Sequence, residues 1–220
     1  MKTFVVIPVL NEGERLPVVI DEVKKFIQDI IIIDDGSNEK NASRIAQLKN
    51  RVIVLRHRIN LGKGAAMRTG VEAAIAHGAE AIILMDGDGQ HHASDIPKLL
   101  DKLTGDNIDI VFGSRTIGKD MPLVMMLGNK FLSLCSSFLF GLYISDTQSG
   151  FRAFRTRAYP ALRWDSPRYA VETEMIANAA KKKLRTGEVQ VQTIYHDDYK
   201  GTTVIDGIRI FTSMLRWKFL

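Results

Sequence analysis

At 220 residues, 45% hydrophobic and 25% charged, the chain can bury a sizeable core, which excludes a disordered or fibrous protein. Its formal charge of +5 and pI near 9.3 suit anionic partners such as nucleotides, phosphorylated lipids or an acidic membrane, and charge alone does not choose among them. Cys135 is the single cysteine, so an internal disulfide, and with it a secreted disulfide scaffold, is excluded.

The opening segment MKTFVVIPVLNEGERL has too short an apolar run for a signal peptide and reads as a first strand over 3–8. Further short β-branched runs at 30–34, 51–55, 81–86 and 109–114 are apolar on both faces, as buried parallel strands are. Helical patterns over 14–28, 42–49, 64–77 and 95–103 lie between them, and this alternation predicts a doubly wound, mostly parallel α/β sheet. Ligands in such sheets sit at the carboxyl ends of the strands. The second half departs from the rhythm: an apolar helix over 121–143, a polar-aromatic loop over 146–155, a helix over 170–184, an alternating strand over 188–196 and a final helix over 204–220. The apolar stretch 121–144 is interrupted by Gly128, Asn129 and Lys130, short of the roughly 20 residues of a spanning helix. No linker divides the chain, so one domain is expected, with a ligand-binding half over about 1–115 and a second half over about 116–220.

Candidate chemistry concentrates at two acidic strand ends. In MDGDGQH (85–91), Asp86 and Asp88 flank a glycine that lets both carboxylates enter one cleft. Together with the amide oxygen of Gln90 they form the hard-oxygen set preferred by Mg2+ or Mn2+. An EF-hand would need Gly and Glu where His91 and Pro97 stand, which excludes a calcium loop. His91 and His92 read as loop histidines rather than ligands. Asp-Gly-Asp alone is equally compatible with a solvated turn, but the second strand also ends in acids, Asp34 and Asp35, at the same edge of the sheet. Of these, Asp34 reads as a cap for turn amides and Asp35 as the ligand contact.

In chain order, VVIPVLNE (5–12), IIIDDGS (31–37), NLGKGAAMRTG (60–70), MDGDGQH, GSR (113–115) and DTQSGFRAF (146–154) resemble family-2 glycosyltransferases of the GT-A fold. Within that family the chain is most similar to the polyprenyl- and dolichyl-phosphate mannose or glucose synthases. The resemblance implies that Pro8, Asn11, Glu12, Ile33 and Asp35 hold the base and ribose of a nucleotide-sugar. It further implies that Asp86, Asp88 and Gln90 hold a metal and the diphosphate, with Asp88 the closest ligand, and that Lys200 contacts the diphosphate. On the acceptor side it implies a basic residue near "GNKFLS", where Asn129 stands in the family's place, Lys130 is the candidate substitute and Ser133 follows. Glu172 and Glu174 either favour their helix N-terminus or approach one of the sugars.

Other motifs are read from the residues. NLGKGAA lacks the spacing of a P-loop, so Lys63 either approaches the nucleotide or tethers the helix entrance. A Rossmann dehydrogenase is disfavoured by the missing G-x-G-x-x-G, and a phosphoacceptor domain by acids on strands 2 and 4. Arg115 and Arg152, with Ser149, form a candidate clamp for an anionic acceptor. Segment 204–220 places Ile205, Ile208, Phe211, Met214, Leu215 and Phe219 among Arg209, Arg216 and Lys218, the pattern of a helix that lies in the lipid interface, packs on the protein or forms a homodimer.

The expected function is therefore inverting sugar transfer from GDP-mannose, UDP-glucose or UDP-GlcNAc to a polyprenyl or dolichyl phosphate. Asp88, Arg115 and Arg152 are its catalytic residues, and the enzyme sits on the cytoplasmic face of a membrane without a nucleic-acid partner. The alternatives are a family-2 enzyme with a soluble acceptor and a non-catalytic binding module.

Overall fold

The computed structural model describes residues 1–115, 123–168, 170–194 and 204–219. Its strands are β1 (Thr3–Val9), β2 (Ile30–Asp34), β3 (Ile53–Arg56), β4 (Ala81–Leu84), β5 (Ile110–Arg115), β6 (Arg152–Arg155) and β7 (Thr186–Val191). They form one sheet in the order β3-β2-β1-β4-β6-β5-β7. The helices are α1 (Leu16–Lys24), α2 (Glu39–Ala46), α3 (Lys63–Ala76), α4 (Ile96–Gly105), α5 (Leu123–Phe140), α6 (Tyr159–Leu162), α7 (Val171–Lys181) and α8 (Val204–Phe219).

The double-sided burial expected of the strands holds in β1, β2, β4 and β5 and follows from their period of two, whereas β3, at the sheet edge, is only half-buried because no strand covers its outer side. Val5 and Ile7 of β1 and Ile30 and Ile32 of β2 pack beneath α1 and α4. Their neighbours Phe4, Val6, Ile31 and Ile33 pack beneath α3 and α7 on the other face. The β1–β4 ladder stops at Val6↔Leu84, whereas β1–β2 runs on to Val9↔Asp34. A crevice therefore opens past the carboxyl end of β4, where sheets of this class take their ligands.

The sheet is not uniformly parallel. Residues 152–155, expected within a loop, form β6, which inserts antiparallel between β4 and β5. Ala153 and Phe154 are buried on opposite faces, but an arginine at each end leaves only two apolar residues from which to read a strand. The strand expected over 188–196 is likewise displaced. β7 begins at Thr186 and ends at Val191, Thr193 adds one antiparallel bridge to His91, and residues 195–196 lie outside the described residues.

α8 packs against α5. Leu132 and Leu139 of α5 meet Ile210 and Met214 of α8, with Cys135, Phe211, Leu215 and Trp217 around them. Cys135, half-buried, packs against this seam. Packing uses only one face of each helix: Phe138 is 89% exposed, and Leu127, Phe131 and Leu134 on α5 and Ile205, Ile208 and Phe219 on α8 are all more than half exposed. Among the described residues no helix is long and apolar enough to cross a membrane.

Asp109 joins the second half of the sheet before β5 begins. Its carboxylate accepts from Arg185 N (3.1 Å), Nε (2.9 Å) and NH2 (2.9 Å) and pairs with Arg157 (3.3 Å). The hydrogen bonds from Arg185 outweigh burial and hold Asp109 down to about 2. A carboxyl group whose folded value is depressed contributes stability above its unfolded value, near 3.9, and loses it as pH falls toward the folded one. Asp109→Asn is expected to lower the thermal midpoint at pH 7, with the gap from the parent closing between pH 4 and pH 2. Melting curves across that range read it directly.

Candidate active site

The first acidic end is consumed by the protein. Asp34, 1% exposed, accepts from Ser37 N (2.9 Å) and pairs with Arg56 Nε (3.2 Å), the capping role expected of it. Asp35, expected to contact a ligand, has partners within the chain. It is 3% exposed, and its carboxylate accepts from Leu61 N (3.0 Å) and Gly62 N (2.7 Å) and lies 2.7 Å from His57 Nδ1. The His57 tautomer that donates to Asp35 leaves Nε2 to accept from Thr69 Oγ1 (3.0 Å). Asp35 thus fixes the loop that leads into α3.

Ile33 is also corrected, because its side chain is fully buried in the core beneath α3 and has no surface to offer a base. Pro8 and Glu12 are half-buried at the end of β1 and just beyond it. Asn11, at φ 61°, donates its N–H to Ser37 Oγ and accepts from Asn38 N through Oδ1, both at 2.9 Å, which stitches the first strand end to the second.

The second acidic end remains open. A Cβ on Gly87 would run into Val9 and Ile7, and one on Gly150 would lie 2.5 Å from Asp86 Oδ2, so glycine backbone closes on the turn from two sides. Asp86 Oδ1 lies 2.7 Å from Lys63 Nζ, and Oδ2 lies 3.4 Å from His91 Nε2. Lys63 also reaches Glu172 Oε1 of α7 at 2.7 Å, so its ammonium bridges two carboxylates. Burial alone would pull Lys63 down, but Asp86 and Glu172 outweigh it and keep the ammonium protonated. Burial pushes Asp86 up, but Lys63 and then His91 outweigh it and hold the carboxyl well below the usual range. For Asp88, burial and then the charge of Asp86 push the carboxyl up.

Asp88 Oδ1 accepts from Gln90 N (2.9 Å), and its Oδ2 has no partner among the described residues. His91, expected in an exposed loop, is buried against Phe151, with ring centroids 5.0 Å apart. Among the described residues no three His, Cys, Asp or Glu side chains converge on a common point. The donor set suits instead a cation that keeps one or two carboxylates and takes its other oxygens from phosphate, the habit of Mg2+. Asp88 Oδ2 and the half-buried Gln90 are the groups that would hold it.

The residues expected on the acceptor side form a second network. Arg115 is gripped by Asp146 through Nε (2.6 Å), NH2 (3.0 Å) and its own backbone N–H (3.2 Å). The Arg115 charge outweighs burial and holds Asp146 below its ordinary value. Ser133 Oγ, buried, donates to Ser145 O (3.4 Å), and Asn129 accepts from Thr147 N and Oγ1 at 3.1 Å. Lys130 is exposed on α5, and Lys200 lies outside the described residues.

Arg152 does not form the expected clamp. Only 1% exposed, it donates from Nε to Ser149 O (3.0 Å), from NH1 to Glu172 O (2.5 Å) and from NH2 to Thr147 O (3.0 Å), over the ring of Phe112. Burial pulls it down to about 10. Ser149 is buried with it, and its Oγ accepts from Phe151 N (3.4 Å). Glu174 accepts from Asp165 N and Ser166 N at 2.9 Å and so anchors a loop instead of facing an acceptor.

Two further carboxylates escaped the sequence reading. Asp146 stands in a quoted motif whose arginine drew attention in its place. Glu188, which accepts from Ser145 N (3.0 Å) and from the hydroxyls of Ser114 and Ser145, carries no motif at all. Because Arg152 satisfies three buried carbonyls, Arg152→Met is expected to lower unfolding free energy by about 3 kcal/mol or more. A clamp residue facing solvent would leave the urea denaturation midpoint nearly unchanged.

Residues 4–163 match glycosyl transferase family 2. The chain is 34% identical to a UDP-N-acetylglucosamine–dolichyl-phosphate N-acetylglucosaminyltransferase of Methanococcus voltae, over 98% of this chain and 95% of that protein. It is 26% identical to a polyprenol monophosphomannose synthase of Mycolicibacterium smegmatis, over 98% and 85%. In fold it is similar to glucosyl-3-phosphoglycerate synthase from Mycobacterium tuberculosis, solved with Mg2+ and uridine diphosphate, at TM-score 0.75 and 19% identity, over 99% of this chain and 79% of that one.

Proposed function

The chain belongs to glycosyl transferase family 2 and is a glycosyltransferase of GT-A-like fold, and on that footing we propose that it moves a sugar from a nucleotide-sugar to a polyprenyl or dolichyl phosphate, with inversion and with a divalent cation at Asp88. The observation that carries the reading is the open carboxylate of Asp88 beside a fully partnered Asp86 at the β4 crevice. A cation held there, Mg2+ or Mn2+, would neutralise the departing diphosphate. GDP-mannose, UDP-glucose and UDP-GlcNAc are the candidate donors. Pro8, Asn11 and Glu12 line the entry for the nucleotide, and Asp35 supports it from behind by holding the loop before α3.

The acceptor reading rests on α5. One side of this helix holds the Ser145–Thr147 loop, where Asp146 orients Arg115 for a phosphate. Its other side exposes Leu127, Phe131, Leu134 and Phe138, an apolar stripe at spacings of four, three and four. A lipid lying along that stripe would deliver its phosphate toward Arg115. A phosphate oxygen is already ionised at neutral pH, so the attack needs orientation more than a strong base.

Asp88→Ala is expected to reduce transfer to a detergent-solubilised polyprenyl phosphate by at least about a hundredfold while the fold persists. Transfer of label is followed with each of the three donors. Turnover that survives in the variant, or labelling of soluble acceptors alone, refutes the reading.

The same stripe, with exposed Lys130 beside it on α5 and the basic residues Arg209, Arg216 and Lys218 on the neighbouring α8, fits reversible attachment to the anionic cytoplasmic face of a membrane, each basic residue near the surface contributing about 1 kcal/mol. Leu134→Ser/Phe138→Ser is expected to weaken co-sedimentation with anionic liposomes by at least about tenfold at unchanged thermal stability. A wild-type protein that ignores liposomes and scatters light as a dimer would assign the stripe to a second copy.

A further inference from the structure

Lys63 occupies a place that helix electrostatics disfavours. It is the first residue of α3, where the backbone dipole presents positive charge and an acidic side chain would be stabilised. Its ammonium is held there by Asp86 and Glu172, at 2.7 Å each. Glu172 is almost wholly buried, and its Oε2 has no hydrogen-bond partner. The arrangement therefore serves the carboxylates of the crevice and not the helix.

We propose that Lys63 is the resident cation of the crevice: spanning Asp86 and Glu172, it neutralises Asp86 in the nucleotide-free protein and so makes divalent-metal binding conditional on the incoming diphosphate. This rests on the metal reading given above and assigns Lys63 as a positioning residue. With Lys63 in place, a cation arriving alone meets one unpaired carboxylate, Asp88, beside a fixed positive charge. Together with a diphosphate it meets a ligand set of sufficient charge. Without Lys63, Asp86 loses the charge that neutralises it and leaves a second net negative charge two residues from Asp88, which strengthens the attraction for a divalent cation.

The test measures Mn2+ binding by calorimetry, with and without UDP or GDP, in wild type, Lys63→Arg, Lys63→Met and Lys63→Met/Glu172→Gln. The double variant replaces the ion pair with neutral groups of similar shape and keeps the crevice foldable where the single variant fails, as melting curves report. Expected is wild-type affinity in Lys63→Arg, and at least about tenfold tighter Mn2+ binding without nucleotide in whichever Met variants fold, with a correspondingly smaller gain from nucleotide. Met variants that bind Mn2+ alone no more tightly than wild type, whose own binding strengthens with nucleotide, overturn the inference and leave the metal reading standing. A wild type that binds no Mn2+ even with UDP or GDP overturns both.

Discussion

A half-buried carboxylate in the crevice of a sheet is stable in its charged form only if a positive charge lies against it, and Asp86 meets that condition through Lys63. The bridge is long-range in every sense. Asp86 follows β4, Lys63 opens α3, and Glu172 lies in the first turn of α7, more than 80 residues beyond Asp86. Gly150 closes on the same carboxylate from the loop before β6. Removing the charge balance here would loosen four parts of the chain at once, so the geometry of Asp88, two residues away, depends on it.

Around this centre, most of the buried charges organise backbone. Asp35 holds the amides of the loop before α3, Glu174 those of residues 165–166, Arg152 the carbonyls of residues 147, 149 and 172, and Glu188 the amide of Ser145. Loops at the carboxyl edge of a sheet carry amide and carbonyl groups that no strand satisfies, and buried ones need partners. Charged side chains make the strongest such bonds. A crevice built this way is held in shape before any ligand arrives, with an oxygen of Asp88 left open at its mouth.

α5 joins this scaffold to the outside. Its inner face donates and accepts through Asn129 and Ser133, its seam with α8 is a small apolar core, and its outer stripe is exposed. One helix thereby joins the loop whose Asp146 holds Arg115 to an apolar surface, the pairing on which the acceptor proposal rests.

The alternation of strands and helices, and the placement of Asp86 and Asp88 past the carboxyl end of β4, were legible in the sequence. Period-two burial and the acids that end apolar runs are local patterns. So was the two-faced character of α8, whose apolar residues exceed what one packing seam can cover. Only the tertiary structure decided that RAFR is a strand, because its burial comes from β4 and β5 and not from its own composition. It also decided that Ile33 lies in the core, that Asp35, Arg152 and Glu174 bond backbone amides and carbonyls, and that Lys63 and Glu172 share the crevice with Asp86. A charged residue in a motif looks the same whether its partner is a ligand or a backbone amide brought in from 20 or 30 residues away. Which of the two it meets is a matter of packing and desolvation, and these exist only once the chain has closed on itself.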